Sequence, residues 1–258
     1  MFPEAANPWL AARVSLAPRD AARSQLYEAI PLRHTNRGGY DRGRPVAGEV
    51  LAQLGSLMDD SAVTVRWYAA DADRGRFGEL TIEAVEAFIA DREQSEAAFA
   101  WYRPTWQDVQ GFRDGLSLDG QALPPAVTVL GKLLPAASRD QGDRYWLQST
   151  REVHVPTAAA FGLLLVRQAD PLHWVRAGRA WQRLHLSATL HGLAMQPLDQ
   201  VPIRAEREVQ LGLEPRFGRA QAELIADTGW QAALAFRIGY PTVQVPPSPR
   251  WPVSAVLR

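Results

Sequence analysis

Residues 30–46, IPLRHTNRGGYDRGRPV, gather four arginines around a His-Thr-Asn run and a Gly-Gly pair, in a chain whose 28 basic and 28 acidic residues cancel. Guanidinium groups, a hydroxyl and the backbone N–H groups of a glycine-containing loop are the equipment for holding an anion through charge-assisted hydrogen bonds. An isolated loop of this kind is more often a solvated turn, so the motif by itself leaves both readings open. Other chemistries are excluded by residue type. The absence of cysteine removes disulfides, thiolate metal sites and cysteine nucleophiles. Lys132 is the only lysine, and it stands in VTVLGKLLP with no neighbouring charge to tune it, so Schiff-base chemistry is not expected. His185 and His191 are six residues apart, on different faces of a helix, and no metal site is expected. P-loop, GxGxxG, HExxH and GxSxG motifs are all missing. Asp59, Asp60 and the Glu79, Glu83, Glu86 series read as solvated charge, and no catalytic acid or base is assigned.

The elements that must carry these residues are legible from periodicity. Helical spacing covers 20–30, the stretch AGEVLAQLGSLMDD with Val50, Leu51, Leu54 and Leu57, then roughly 74–90 and 94–102. AVTVRWYAA at 62–70 alternates as a strand, and TAAAFGLLLV reads as a buried strand. A helix from Pro171 to Leu190, a short strand through Met195, helices over 202–227, a strand ALAFRIGY and a proline-rich tail complete the chain. Within the long helix, Trp181, Leu184, Ala188 and His191 form one stripe, which reads as core. The stretch 103–150 differs. Its prolines, glycines and aromatics, among them Trp106 and Phe112, suggest short helices and loops, a lid over something else. The balanced charge offers no field for nucleic acid or an anionic membrane, and the longest apolar run, FGLLLV, is too short for a bilayer. A cytoplasmic protein is the expectation.

Arg33-His34-Thr35-Asn36-Arg37, with Tyr40 and Pro45 after it, resembles the N-terminal flavin-binding signature of FMN-dependent nitroreductases. WVRAGRAWQRLHLSATLHGLAMQPLDQ is similar to that family's central helix and following strand-turn, and LAFRIGYPTVQVPPSPRWPVSAVL to its last strand and phosphate-binding tail. The opening, the long middle insertion and the SPRWPV ending together are most like the Acg-like branch, from about Leu26 onward. The resemblance implies an α+β fold, a mostly antiparallel sheet flanked by helices, with FMN as cofactor. It implies one nitroreductase-like domain over 26–258 with the lid insertion at about 103–150, and residues 1–25 as a remnant.

By position in the motif, Arg33 and Arg250 suit the FMN phosphate, Thr35 adds a hydroxyl, and His34 a ring nitrogen or backbone group. Arg37 suits the flavin edge, where a reduced ring becomes anionic. Pro197, Leu198, Asp199 and Gln200 match the turn that presents backbone N–H groups to the ring, and Ser248 stands where relatives often carry a basic residue. The implied activity is reduction of a nitro compound, quinone or flavin, with NADPH or NADH as donor. The alternatives are a flavin-sequestering protein whose lid blocks turnover, and a pseudo-enzyme without cofactor. Members of that branch carry a further segment with an Asn-x-Gln-Pro-Trp motif over the flavin. It is not found here, so a homodimer or a partner completing the pocket is expected.

Overall fold

The computed structural model describes all residues except 3, 5, 6, 8, 16, 19, 21, 22 and 258. In chain order the helices and strands are α1 (Gln25–Glu28), α2 (Gly48–Gly55), β1 (Val63–Tyr68), α3 (Asp71–Ala90), α4 (Arg92–Phe99), β2 (Tyr102–Arg103), α5 (Trp106–Phe112), β3 (Leu116–Ser117), α6 (Pro125–Leu133), α7 (Arg139–Ser149), β4 (Ala160–Val166), α8 (Pro171–Leu190), β5 (Ala194–Pro197), α9 (Gln200–Leu211), α10 (Arg216–Ile225), β6 (Gln231–Gly239) and α11 (Val253–Val256). Of the helix expected over 20–30 only α1 forms among the described residues, and positions 21 and 22 lie outside them. No helix of the described residues is long and apolar enough to cross a membrane.

The sheet follows from β4. AFGLLLV is apolar without interruption, and all seven residues are buried, which requires cover on both faces. Its residues divide by the strand's period of two. Ala160, Leu164 and Val166 pack with Leu184, Ala188, Ala177 and Ala180 of α8. Phe161, Leu163 and Leu165 pack with Phe77 of α3 and Leu224 and Ile225 of α10. Strand order is β1-β4-β6-β5, antiparallel throughout. The α+β arrangement of an antiparallel sheet between helices is therefore present.

Gly162 shows how tight the α8 side is. It pairs with Phe236 across the β4–β6 ladder, and a Cβ at this position would overlap the Phe236 ring. That ring is met edge-on by Trp67 at 5.5 Å and at a tilt by Trp181 at 5.0 Å, so it has little room to move. Gly162→Ala is expected to cost about 1–3 kcal/mol in urea unfolding. A change under about 0.5 kcal/mol, within the range of ordinary surface substitutions, would show that the ring relaxes freely.

Three expectations change in the folded chain. Leu184 and Ala188 are fully buried, but His191 is half-buried at the end of α8, where its ring bonds the Ser187 carbonyl and Gln53; it closes a helix end and is not core. Lys132 does have a charged neighbour, Asp119, at 2.7 Å, contributed by a turn thirteen residues upstream. The middle stretch has its short elements, yet its last part is anchored. A capping box at Ser138 and Gln141 starts α7, Trp146 meets Phe88 of α3 edge-on at 5.3 Å, and Ser95 of α4 donates to Asp143 at 2.6 Å. Trp106 and Phe112 remain 58% and 51% exposed.

Candidate anion and flavin site

The loop after α1 is tied to the chain's far end. Asn36, buried, does most of the tying: its side-chain amide donates to the Val243 carbonyl at 2.7 Å, and its Oδ1 accepts the Gly38 N–H at 2.8 Å. Its own N–H reaches the Met195 carbonyl of β5 at 3.4 Å. Tyr40 pairs with Pro241, and Thr242 donates to Gly39 through its N–H and its hydroxyl. Asn36 stands two residues before Gly38, and Asn in that position is the ordinary sequence signal of an Asx turn.

This lacing brings Arg33 and Arg250 together. The Arg250 guanidinium donates to the Ile30 carbonyl at 2.9 Å and the Arg33 carbonyl at 2.7 Å, contacts that span up to 220 residues. Burial and then the Arg250 charge hold the Arg33 guanidinium below its usual range. Among the described residues Arg33 Nε is sealed from solvent with no hydrogen-bond partner, and neither arginine has a carboxylate contact. Beside them His185 is buried. Its Nε2–H donates to the His34 carbonyl at 3.2 Å, leaving Nδ1 to accept from Arg33 Nη1 at 3.5 Å. Burial, then Arg33, push the His185 ring down to about 3, so it is neutral and adds no charge. The His34 ring is engaged locally, Nδ1 with the Leu32 carbonyl at 2.8 Å, which removes that nitrogen from the expected phosphate role. The Thr35 hydroxyl makes no hydrogen bond among the described residues. Ser248 is exposed, also without one.

Arg37 faces elsewhere, into a cavity of about 300 Å³ between residues 37–39 and the segments 121–123 and 145–154. Burial first lowers its guanidinium from the usual range, and it has no hydrogen-bond partner among the described residues. At Gly38 an added Cβ would come within 2.8 Å of Ala122 Cβ, so the loop and the middle stretch touch without room for a side chain. Tyr145 lines this cavity. Trp106 and Phe112, the aromatics expected over the ring, do not.

Arg237 joins these parts and was not anticipated. It is fully buried on β6. It donates to Gln196 Oε1 at 2.7 Å, Thr157 Oγ1 at 3.0 Å, the His154 carbonyl at 3.2 Å and the Gly38 carbonyl at 2.6 Å, with its guanidinium 3.9 Å from the Tyr40 ring centroid. His154 is buried too, pushed down to about 3 by burial and then by Arg237 and Arg37.

The end of β5 and the turn after it offer fewer donors than the sequence suggests. Pro197 has no N–H, and the Leu198 N–H donates to the Ala235 carbonyl at 2.8 Å, so neither can present a donor to a ligand. The donors left are those of Asp199 and Gln200 at the N-terminus of α9, a helix of twelve residues. Gln200 Oε1 is sealed without a partner. The Asp199 carboxylate accepts the Ala235 N–H at 2.9 Å, and burial pushes it up to about 7.

No protein-family model matches the chain, and a search of curated proteins finds no match. Solved structures do match. An FMN-dependent nitroreductase from Mycobacterium smegmatis, in complex with NADPH, aligns over 91% of this chain and 97% of its own at 17% identity, with a TM-score of 0.55. The fold is nitroreductase-like. An FMN- and NADPH-dependent nitroreductase from Sphigopyxis sp. strain HMH aligns over 90% and 97% at 18% identity, TM-score 0.53. An iodotyrosine deiodinase bound to FMN and 3-iodo-L-tyrosine aligns over 88% and 95% at 13% identity, TM-score 0.51.

Proposed function

We propose that this chain is a flavin oxidoreductase, of the Acg-like branch, that binds FMN and passes reducing equivalents from NADPH or NADH to an electron-poor small molecule such as a nitro compound, a quinone or free flavin. The observation that carries the reading is Arg33: a half-buried guanidinium with an orphaned Nε, beside a second arginine and a neutral histidine, without a carboxylate among the described residues. Adjacent like charges without a counter-ion repel, and an anion held between them relieves that repulsion. The residues present fit FMN: Arg33, Arg250 and Thr35 for its phosphate, Arg37 for the ring edge, and the Asp199 and Gln200 N–H groups with the unpartnered Gln200 Oε1 at the ring's polar side. Bound FMN supplies the hydride and electron transfer. The chain's own groups hold, orient and partly shield it.

Arg33→Ala is expected to weaken FMN by about tenfold to a hundredfold, the loss of one charge-assisted contact of roughly 1.5–3 kcal/mol, measured by quenching of flavin fluorescence. Arg42→Ala, on the exposed part of the same loop, serves as the control. Equal affinities in the two variants would sink the assignment of Arg33. Turnover is tested by stopped-flow bleaching of FMN with NADPH and NADH, followed by reoxidation with a quinone. A second reading, flavin sequestration, has one observation in its favour: segments 121–123 and 145–154 roof Arg37. FMN-loaded protein that neither donor reduces would decide for it.

A homodimer, or a partner completing the pocket, is part of this proposal. Ile30, Leu32, Trp251 and Val253 are 41%, 60%, 50% and 68% exposed beside the Arg33–Arg250 contact. Apolar side chains clustered in this way are characteristic of a surface covered by another chain. Sedimentation tests it; a stable monomer would count against it.

A further inference from the structure

A second cavity, about 1010 Å³, lies between α9, α10, the start of β6 and the start of α8. Among the described residues its titratable lining groups are all carboxylates, Asp199, Glu206 and Asp227, with no arginine, lysine or histidine. Several carboxylates elsewhere in the chain are ion-paired. Asp91 holds Arg204 and Arg207, and Glu83 holds Arg216. None of the three cavity carboxylates belongs to an ion pair among the described residues; Asp199 and Asp227 accept only backbone N–H groups, from Ala235 and Gly229. Gln221, also in the lining, has its Oε1 sealed from solvent without a partner among the described residues.

Two indoles complete the lining, Trp174 from α8 and Trp230 from the turn before β6. The Trp230 ring already holds the Arg167 guanidinium 3.8 Å from its centroid, and Arg167 also donates to the Gly229 carbonyl. Trp174, 42% exposed, carries no such cation among the described residues. Carboxylates without a cationic partner, π faces and largely apolar walls select against anions and favour a cation with an apolar body, because an ammonium supplies N–H donors, a compensating charge and a cation–π contact together.

We propose that this cavity is a binding site for an arylalkylammonium ion, its nitrogen held by Asp199 and the Asp227 and Glu206 carboxylates and its aromatic body packed on Trp174 and Trp230. The site is separate from the Arg33–Arg250 cluster and does not depend on flavin. It shares one residue with the turn assigned to the ring, Asp199, whose backbone N–H and side chain then serve different ligands.

The test uses the full chain freed of flavin, titrated with phenethylammonium chloride and, separately, with its neutral analogue 2-phenylethanol, followed by calorimetry. The ammonium is expected to bind at least about tenfold more tightly than the alcohol, the usual size of a charge-assisted contact. Asp199→Asn keeps an acceptor for the Ala235 N–H, and Asp227→Asn changes an exposed loop, so both variants should fold. Each is expected to lower ammonium affinity several-fold while leaving the alcohol unchanged, and Trp174→Ala to weaken both. Equal binding of ammonium and alcohol, no ammonium binding at millimolar concentration, or full affinity in both Asp variants would overturn the proposal. Arg33→Ala should leave ammonium binding intact, so failure of this site and failure of the FMN reading are separable.

Discussion

Arg237→Met is expected to destabilise the chain by roughly 3–5 kcal/mol, the range seen when one partner of a buried charged network is removed. The arginine is the sole donor shown to the Gln196 Oε1, and it also serves the Gly38 and His154 carbonyls and the Thr157 hydroxyl. Methionine fills a similar volume with no donors, and each buried acceptor left open costs about 1–3 kcal/mol. Relief from burying a guanidinium offsets part of this sum, which is why the estimate is not larger. Arg237→Lys keeps the charge but lacks the planar fork and should recover only part of the loss. Urea unfolding measures both. A Met variant within about 1 kcal/mol of the parent would mean that the network is not a stabilising one. The consequence for the site is direct: this side chain fastens the motif loop at Gly38, strand β5 at Gln196 and the roof of Arg37 at His154, so its loss should loosen all three together.

Acid is expected to unfold the protein in a way that three groups set. His154 and His185 are each held down to about 3, against 6.5 in an unfolded chain, so their stabilisation is complete above 6.5 and is lost as pH falls toward 3. Asp199 has the opposite sign. Raised from 3.8 to about 7, its contribution is complete below 3.8 and is lost as pH rises through 7. Between about 6.5 and 3.8 the unfolded chain binds two protons on these histidines, and the folded chain binds one on Asp199. The net difference of one proton predicts a fall of about 1.4 kcal/mol per pH unit, with maximum stability near neutrality. Asp199→Asn should roughly double the slope, and His185→Gln should nearly abolish it. Denaturant titrations at a series of pH values check all three. A slope unchanged by Asp199→Asn would show that this carboxylate is not held protonated in the folded chain.

Much of the architecture was determined by the sequence alone, because it depends on local periodicity. The apolar run 160–166 could only be a strand covered on both faces, and Asp170-Pro171 with an apolar stripe to Leu190 could only be a long helix beside it. The motif from Arg33 to Arg37 was legible as equipment for an anion because residue type defines charge and donors wherever the chain goes. What the tertiary structure decided is which of those groups remain available. His34 lost a ring nitrogen to its own loop, and Leu198 lost its N–H to Ala235 on the neighbouring strand. Arg33 kept an orphaned Nε, and the tail brings the Arg250 guanidinium onto its carbonyl. Arg237, read from sequence as one position in the strand ALAFRIGY, became the centre of a buried network through partners 41 to 199 residues away. Hydrogen-bond valence is filled in space: strand register and loop closure choose the partner, and no pattern of neighbouring residues encodes that choice.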